Sequence, residues 1–260
     1  MPNPWDVGSA RWLQELGFKA LATTSAGAAF VAGHPDNGLS CDEMLAHIRL
    51  LADATDVPLN ADFGTGYADD AVGVRANVLR CIDTGVAGLS IEDATGDDAA
   101  PFYDLTTATD RVRAARMAID ASGADVVLTG RAEGPIEGRL DDVCTRIRAY
   151  AAAGADCVYA PGAKTREHIA AVVAAAAGKP VNLLVSAPTP LDLGAIEALG
   201  VRRISVGSGL ARVAWGAVIG VAEQIAREGR FDGFAGAASG ARLNRFFSED
   251  VRRRTSGGGA

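Results

Sequence analysis

Short apolar segments alternate along the chain with longer, Ala-rich segments in which Arg and Asp recur at helical spacing. The apolar segments are nearly continuous in hydrophobic residues. Parallel strands buried on both faces have this pattern, and the segments between them are typical of the helices that cover such strands. The pattern predicts seven strands, which fall within residues 19–24, 57–62, 86–92, 125–131, 156–160, 180–185 and 202–207.

Helix boundaries support this division of the chain. Ser40 and Glu43 have the spacing of a capping box, in which each side chain bonds the backbone N–H of the other residue. Gly154 and Gly200 each stand between a helical segment and the next apolar segment, where glycine commonly ends a helix. With residues 3–7 as an eighth strand, the repeat predicts a single α/β domain folded as a (β/α)8 barrel of the TIM type. A doubly wound open sheet is the alternative.

No Pro- or Ser-rich linker divides the chain, so residues 1–250 are expected to form one domain. Its last part, from about residue 210, is predicted to be helical and carries the apolar pair Phe246 and Phe247. Such a pair near a chain end is expected to dock on its own barrel or on a neighbouring subunit. Residues 251–260 are predicted to be a disordered tail.

Composition and charge narrow the class of partner. The 260 residues are 48% hydrophobic, and 32 acidic side chains outnumber 25 basic ones. The net charge of -7 argues against binding to nucleic acid or to an anionic membrane and favours a small-molecule partner. The four cysteines form no Cys-x-x-Cys pair, and the sequence shows neither a secretion signal nor a run of about 18 apolar residues. We therefore expect a cytoplasmic protein with reduced thiols.

Polar side chains at the ends of the predicted strands are the candidates for chemistry, because the active site of a parallel barrel lies at the carboxyl ends of its strands. Asp62 and Glu92 end two consecutive strands, and Asn182 lies in a later one. Converging carboxylates are the ligands that Mg2+ prefers. Arg131 ends another strand and offers a planar fork for a carboxylate or phosphonate; the alternative is an internal ion pair with Glu92 or Glu133.

Two turns offer backbone N–H groups to an anion. Thr24, Ser25 and Ala26 stand before a predicted helix, where they can seat an anionic group or serve as a plain helix cap. Residues 207–209 are either a phosphate site or a simple strand-to-helix turn. Asp93 points away from Glu92 in an extended chain, so we expect it to cap a helix or form a salt bridge.

Several segments in correct order resemble the isocitrate lyase and phosphoenolpyruvate mutase superfamily, in particular its short bacterial members of the 2-methylisocitrate lyase and phosphonomutase kinds. The resemblance covers nearly the whole chain, and it depends on the ordered set of segments rather than on any one motif; two of them read Val57-Pro-Leu-Asn-Ala-Asp62 and Gly85-Val-Ala-Gly-Leu-Ser-Ile-Glu-Asp93. The other matching segments are residues 5–10, 17–27, 33–36, 66–67, 130–131, 155–161, 180–182 and 200–207.

The resemblance implies a barrel whose C-terminal helix is exchanged between subunits, in a homotetramer built as a dimer of dimers. It also implies Mg2+, or Mn2+ in its place, and a small anionic 2-oxo or 2-hydroxy acid as substrate. By position, Asp62 corresponds to the direct metal ligand and Glu92 to a ligand through water. Asp36 corresponds to a carboxylate that orients metal-bound water.

The same resemblance assigns the substrate contacts. Thr24, Ser25 and Ala26 fall on the segment that holds the substrate carboxylate and oxo oxygen. Arg131 corresponds to the arginine that grips the substrate, and Asn182 to a polar residue near the far carboxylate. Asp62, Glu92 and Arg131 are therefore the expected catalytic residues.

Three departures from the family pattern bear on the activity. Gly64 stands where the family has a second acid after its metal aspartate. The segment after Glu92 lacks the Lys-Lys-x-Cys-Gly-His loop of isocitrate-cleaving lyases, so the cysteine acid/base mechanism is excluded. Residues 160–162 read Ala-Pro-Gly, where lyases have a glutamate and the mutase a histidine.

Three functions agree with these observations. The first is a Mg2+-dependent lyase that cleaves a C–C bond of a small 2-hydroxy or 2-oxo dicarboxylate through a metal-stabilised enolate. The second is a mutase or hydrolase that acts on the C–P bond of a phosphonopyruvate-like substrate. The third is a barrel that has lost catalysis and binds a ligand, which the Gly64 departure would permit.

Overall fold

The computed structural model describes residues 1–257, which contain seven strands in one parallel sheet. The strands neighbour one another in chain order, as a barrel requires, so the alternative of an open doubly wound sheet is wrong. All seven predicted strands are confirmed, each within its predicted segment. They are β1 (Leu21–Ala22), β2 (Leu59–Asp62), β3 (Gly88–Glu92), β4 (Val127–Arg131), β5 (Cys157–Tyr159), β6 (Val181–Leu184) and β7 (Arg203–Ser205).

Helices alternate with the strands along the chain. The capping box predicted at Ser40 and Glu43 is present, with both reciprocal bonds formed. The helices are α1 (Val7–Glu15), α2 (Ser25–Val31), α3 (Cys41–Ala54), α4 (Ala71–Ile82), α5 (Leu105–Ser122), α6 (Leu140–Ala152), α7 (Arg166–Ala175), α8 (Leu193–Ala198), α9 (Gly209–Glu228) and α10 (Gly240–Gly257). A short 3-10 helix spans Asp232–Gly236.

The eighth strand predicted at residues 3–7 is wrong. Residues 3 and 4 have no regular secondary structure, and Val7 already begins α1. Pro2 and Pro4 have no N–H to donate, so this segment cannot form a regular ladder.

The same segment nevertheless joins the two edges of the sheet. The Ala22 N–H in β1 donates to the Pro2 carbonyl at 3.1 Å. The Asn3 amide donates to the Thr23 carbonyl and accepts the N–H groups of Val206 and Gly207, just beyond β7. Side-chain hydrogen bonds from Asn3 thus connect the chain next to β1 with the chain next to β7, a connection that backbone bonds of an eighth strand would otherwise make. Because the Gly207 N–H donates to Asn3, this group is not free for an anion, and a phosphate site at residues 207–209 stays a prediction.

Buried apolar side chains of the strands and the covering helices form the main core. Every residue of β3 is buried. This is expected for a parallel strand that packs against helices on its outer face and against other side chains in the barrel interior on its inner face. Ile48, Ile147 and Tyr150 pack from the helices toward Leu89 and Leu128 of the strands, and all five are fully buried.

Residues from Arg212 onward form a compact unit separate from Met1–Ala211. The boundary falls where the sequence predicted the helical segment from about residue 210; exchange of this segment between subunits stays a prediction. The tail predicted for 251–260 needs correction, because residues 251–257 continue α10, while 258–260 lie outside the described residues. No helix in the described part of the chain is long and apolar enough to span a membrane.

Candidate active site

A cleft with a cavity volume of about 150 Å³ opens at the carboxyl ends of the strands. Most of the residues that the sequence singled out border it. Glu92 lies directly behind this surface, where it pairs with a residue of the cleft wall. The predicted residues that border the cleft are Thr24, Ser25, Ala26, Asp36, Asp62, Arg131 and Asn182.

Arg131 is surrounded by three carboxylates at the end of β4. Its Nη1 lies 3.1 Å from Asp62 Oδ1 and 3.0 Å from Glu92 Oε2. Its Nε and Nη2 both donate to Glu133, at 3.2 and 2.6 Å. The sheet register explains the meeting, because Glu92 pairs with Arg131 directly across β3 and β4. The predicted ion pair is therefore present, and it includes Asp62 as well.

Burial and charge compete at this cluster. Burial raises the pKa of Glu92 to about 7, although the Arg131 guanidinium opposes the rise. Burial alone would lower the pKa of Arg131, but Glu92 and Glu133 hold it well above its usual value, so the guanidinium stays charged. One cation thus faces three acidic groups, and the mouth of the cleft favours a further positive charge.

Ser25 connects Asp62 to Asp36. The Ser25 N–H donates to Asp62 Oδ2 at 3.0 Å, and the Ser25 hydroxyl donates to Asp36 Oδ1 at 3.3 Å. Burial, together with the charge of Asp62, raises the pKa of Asp36 despite bonds from Asn37 and Ser25. The three predicted groups therefore form one hydrogen-bonded chain along the cleft wall.

Thr24 and Ala26 differ in what they offer to a ligand. The Thr24 hydroxyl accepts the Gly27 N–H at 3.2 Å, so it caps α2, as the alternative reading of this turn expected. A Cβ at position 27 would lie 2.6 Å from Thr24 Cγ2, which explains the glycine. The Ala26 N–H makes no hydrogen bond within residues 1–257 and borders the cleft.

The donor set fits a hydrated divalent ion better than a closed metal cage. Within the part of the chain that the structure describes, no three His, Cys, Asp or Glu side chains are grouped to hold a metal. Mg2+ often takes only one or two protein carboxylates and keeps several waters. Asp62 can supply one such ligand, Glu92 and Asp36 are connected to it through Arg131 and Ser25, and the surplus of carboxylates over Arg131 supplies the charge.

Asn182 is committed to protein partners on both sides of its amide. It is buried, donates to Ser205 Oγ at 2.9 Å, and accepts from Arg203 Nε at 3.0 Å. Arg203 also borders the cleft, and the sequence did not single it out. The strand-end rule overlooks it, because Arg203 begins β7 rather than ending it.

Asp93 lies on the outer side of β3, as the alternation predicted. Its carboxylate accepts from the Tyr150 hydroxyl at 2.5 Å, from Arg146 Nη1 at 3.0 Å and from the Glu133 N–H at 2.7 Å. Through the bond from the Glu133 N–H, Asp93 fixes the backbone of Glu133, whose carboxylate accepts from Arg131. Asp93 is thus a support for the site, on the far side of the strand from the cleft.

The family model for phosphoenolpyruvate phosphomutase matches residues 1–226 of the chain. An oxaloacetate decarboxylase of Rhodopseudomonas palustris (strain BisA53) is 32% identical over 179 residues, which are 66% of this chain and 61% of that relative. One of Bradyrhizobium sp. (strain ORS 278) is 31% identical over 204 residues, 76% of this chain and 70% of that relative. The matches therefore span about three fifths to seven tenths of these relatives' length.

Solved structures share the fold over almost the whole chain. A candidate lyase/mutase of Burkholderia cenocepacia J2315 is 43% identical, with a TM-score of 0.91 over 95% of this chain and 90% of that one. A phosphonopyruvate hydrolase in complex with oxalate and Mg2+ is 26% identical, with a TM-score of 0.83 over 98% of this chain and 92% of that one.

Proposed function

The chain belongs to the phosphoenolpyruvate phosphomutase family of the isocitrate lyase superfamily, and from that premise we propose that it is a Mg2+-dependent lyase that cleaves a C–C bond of a small 2-oxo or 2-hydroxy dicarboxylate. The observation that carries the proposal is the cluster of Asp62, Glu92 and Glu133 around Arg131 at the mouth of the cleft. The relatives named oxaloacetate decarboxylase support C–C cleavage and suggest oxaloacetate as the first substrate to test.

Asp62 would hold the ion directly, and Glu92 and Asp36 would hold it through water. When bound, Mg2+, or Mn2+ in its place, supplies Lewis-acid polarisation of the substrate oxo oxygen and neutralises the negative charge that develops as the bond breaks. The likeness to a hydrolase crystallised with Mg2+ and oxalate supports this choice of metal. Because Gly64 contributes no carboxylate, we expect more water around the ion than a second acid would leave.

Arg131 and Ala26 would orient the substrate. Glu133 bonds both Nε and Nη2 of Arg131, which fixes the plane of the guanidinium at the cleft wall, where an anionic group would bind. The unbonded Ala26 N–H is a further donor for a carboxylate oxygen. Holding the breaking bond in one orientation is itself a large part of such catalysis.

The proposal is tested by turnover of a panel of 2-oxo and 2-hydroxy dicarboxylates, beginning with oxaloacetate, with and without EDTA. We expect Mg2+-dependent release of a 2-oxo acid product. Arg131→Lys should lower kcat/KM by about 100-fold, because lysine cannot reproduce the fork. Asp62→Asn should raise the Mg2+ concentration needed for half-maximal rate.

The matched controls are Arg75→Lys and Asp53→Asn, which change exposed side chains on α4 and α3 and should leave the rates unchanged. Turnover that persists undiminished in EDTA would contradict the metal requirement. Phosphate release from phosphonopyruvate without turnover of any dicarboxylate would favour the C–P alternative. Binding without any turnover would favour a barrel that has lost catalysis.

A further inference from the structure

Arg203 crosses the interior of the barrel below the site described above. It starts β7, and its guanidinium donates to Asn182 Oδ1 at 3.0 Å, Asn60 Oδ1 at 3.3 Å and Thr129 Oγ1 at 2.8 Å. Asn60 and Thr129 belong to β2 and β4, on other sides of the barrel. All three acceptors are uncharged.

This arginine has no acidic partner. Within residues 1–257, no Asp or Glu oxygen lies within ion-pair distance of Arg203, whereas Arg131 has three carboxylates. A guanidinium has five N–H groups, and the contacts above use one on each nitrogen, which leaves two. Arg203 is half-buried and borders the cleft, so a guanidinium with two free N–H groups and no counter-charge there favours an anion.

Arg203 lies about one layer deeper than the Arg131 cluster. Asn60 precedes Asp62 by two residues on β2, and Thr129 precedes Arg131 by two residues on β4. Alternate residues of a strand share a face and are separated by roughly 7 Å. Asn60, Asp62, Arg131 and Arg203 all border the same cleft. The cleft is therefore acidic at its mouth and basic at its floor.

A second cavity also touches Arg203 from the amino-terminal side of the strands, but its chemistry differs. Its wall is mostly apolar, and its one carboxylate, that of Asp156, is already paired with Arg116. The upper cleft is the one that Arg203 shares with Asp62 and Arg131. A small anion bound at Arg203 from the upper side therefore lies in the same cleft as the Arg131 cluster.

We propose that Arg203 binds the second carboxylate of the substrate, so that the cleft selects small dicarboxylates over monocarboxylates. This inference rests on the proposed function and adds Arg203, at the floor of the cleft, to the residues that bind the substrate. One carboxylate is held at the mouth, where the Arg131 cluster lies, and the other replaces the missing counter-charge of Arg203. Asn182, which the family resemblance puts near the far carboxylate, acts through Arg203 by fixing its Nε.

The test compares two acids of equal chain length, the dicarboxylate succinate and the monocarboxylate butyrate, by titration calorimetry in the presence of Mg2+. The wild-type chain should bind succinate at least about tenfold more tightly, the gain typical of a charge-assisted hydrogen-bonded contact. Arg203→Met should abolish this preference, and Arg203→Lys should keep part of it. The control is Arg202→Met, since the neighbouring Arg202 is exposed and bonds only backbone carbonyls.

A folded Arg203→Met protein that keeps the wild-type preference would overturn the inference. If this variant fails to fold, a crystal structure of the wild-type chain with succinate decides: a carboxylate at hydrogen-bonding distance from the Arg203 guanidinium is expected, and succinate held only at the mouth overturns it. Succinate binding requires no turnover. Loss of catalysis across the dicarboxylate panel would therefore sink the proposed function alone, and loss of the Arg203 effect would sink only this inference.

Discussion

Glu92 and Asp93 are neighbours in sequence with different tasks, because successive side chains of a strand point to opposite faces. Glu92 points into the barrel and meets Arg131, whereas Asp93 points outward and meets Arg146 and Tyr150. Burial raises the pKa of both carboxyls. Of the two, Glu92 is the one that pairs with a residue of the cleft wall, and its pKa is raised to about 7, so its titration falls in an accessible pH range.

We predict that Glu92 makes the metal-free protein less stable as pH rises. Its pKa is about 7 in the folded chain against an ordinary value of 4.5, so the folded state binds more protons between these values. The free energy of unfolding should therefore fall from about pH 5 to pH 7. Urea unfolding in EDTA at pH 5, 6, 7 and 8 measures this slope.

Glu92→Gln should flatten that slope, because the amide does not titrate. Glu197→Gln changes an exposed acid of α8 and should keep the wild-type slope. An unchanged slope in Glu92→Gln would show that other groups, such as Asp93, cause the pH dependence.

At the scale of elements, β4 and α6 approach closely at Gly130. A Cβ there would lie 2.8 Å from the Cβ of Tyr150 and 3.3 Å from that of Ala155. Gly130 lies between Thr129, which contacts Arg203, and Arg131 on the same strand. The spacing of helix and strand at this glycine therefore affects both levels of the cleft.

We predict that Gly130→Ala lowers the free energy of unfolding by about 1–3 kcal/mol, the usual cost of overpacking. The added methyl group must push α6 away from β4 and disturb the Tyr150 bond to Asp93. Chemical denaturation measures the change, and Gly194→Ala in α8 is the control, since its nearest neighbour is 3.6 Å away. Equal stability of the two variants would show that α6 adjusts without cost.

At the scale of the whole molecule, the unit from Arg212 onward exposes large apolar side chains. Val213, Trp215, Val218 and Ile219 on α9 are 72, 42, 58 and 51% exposed. Trp215, Val218 and Ile219 share one face of α9, and exposed apolar residues grouped in this way commonly mark an interface. It agrees with the resemblance-based expectation that the C-terminal helix is exchanged in a dimer of dimers.

We predict that the chain is a homotetramer in solution and that Trp215→Asp with Ile219→Asp lowers its mass, because charges would be buried in the interface. Light scattering coupled to size exclusion measures the mass. Val72→Asp is the control, since Val72 is 77% exposed and lies on α4 of the barrel unit. A wild-type monomer at micromolar concentration would contradict the prediction.

The local sequence pattern predicted the strands and helices well, but it predicted the contacts between distant side chains less well. The strand segments and the Ser40 cap depend on neighbours a few residues apart, and both were predicted correctly. The eighth strand predicted at residues 3–7 failed because Pro4 lacks a donor and Asp6 already caps α1, and hydrophobic pattern alone does not register either constraint. The strand-end rule was enough to select Asp62, Glu92 and Arg131 as site residues. It did not give the number of carboxylates that pair with Arg131, which the structure shows to be three.

The sequence by itself determined the order of strands and helices and the acidic character of the cleft mouth, because hydrophobic periodicity and strand-end position are local properties. Only the tertiary structure decided which charges are paired. Arg203 meets Asn60 and Thr129 across 143 and 74 residues of chain, and Arg131 meets Asp62 across 69. Closure of the barrel places Arg131 among three carboxylates and leaves Arg203 with none within residues 1–257. The hydrophobic periodicity of the chain cannot predict this difference, because it depends on contacts between distant residues.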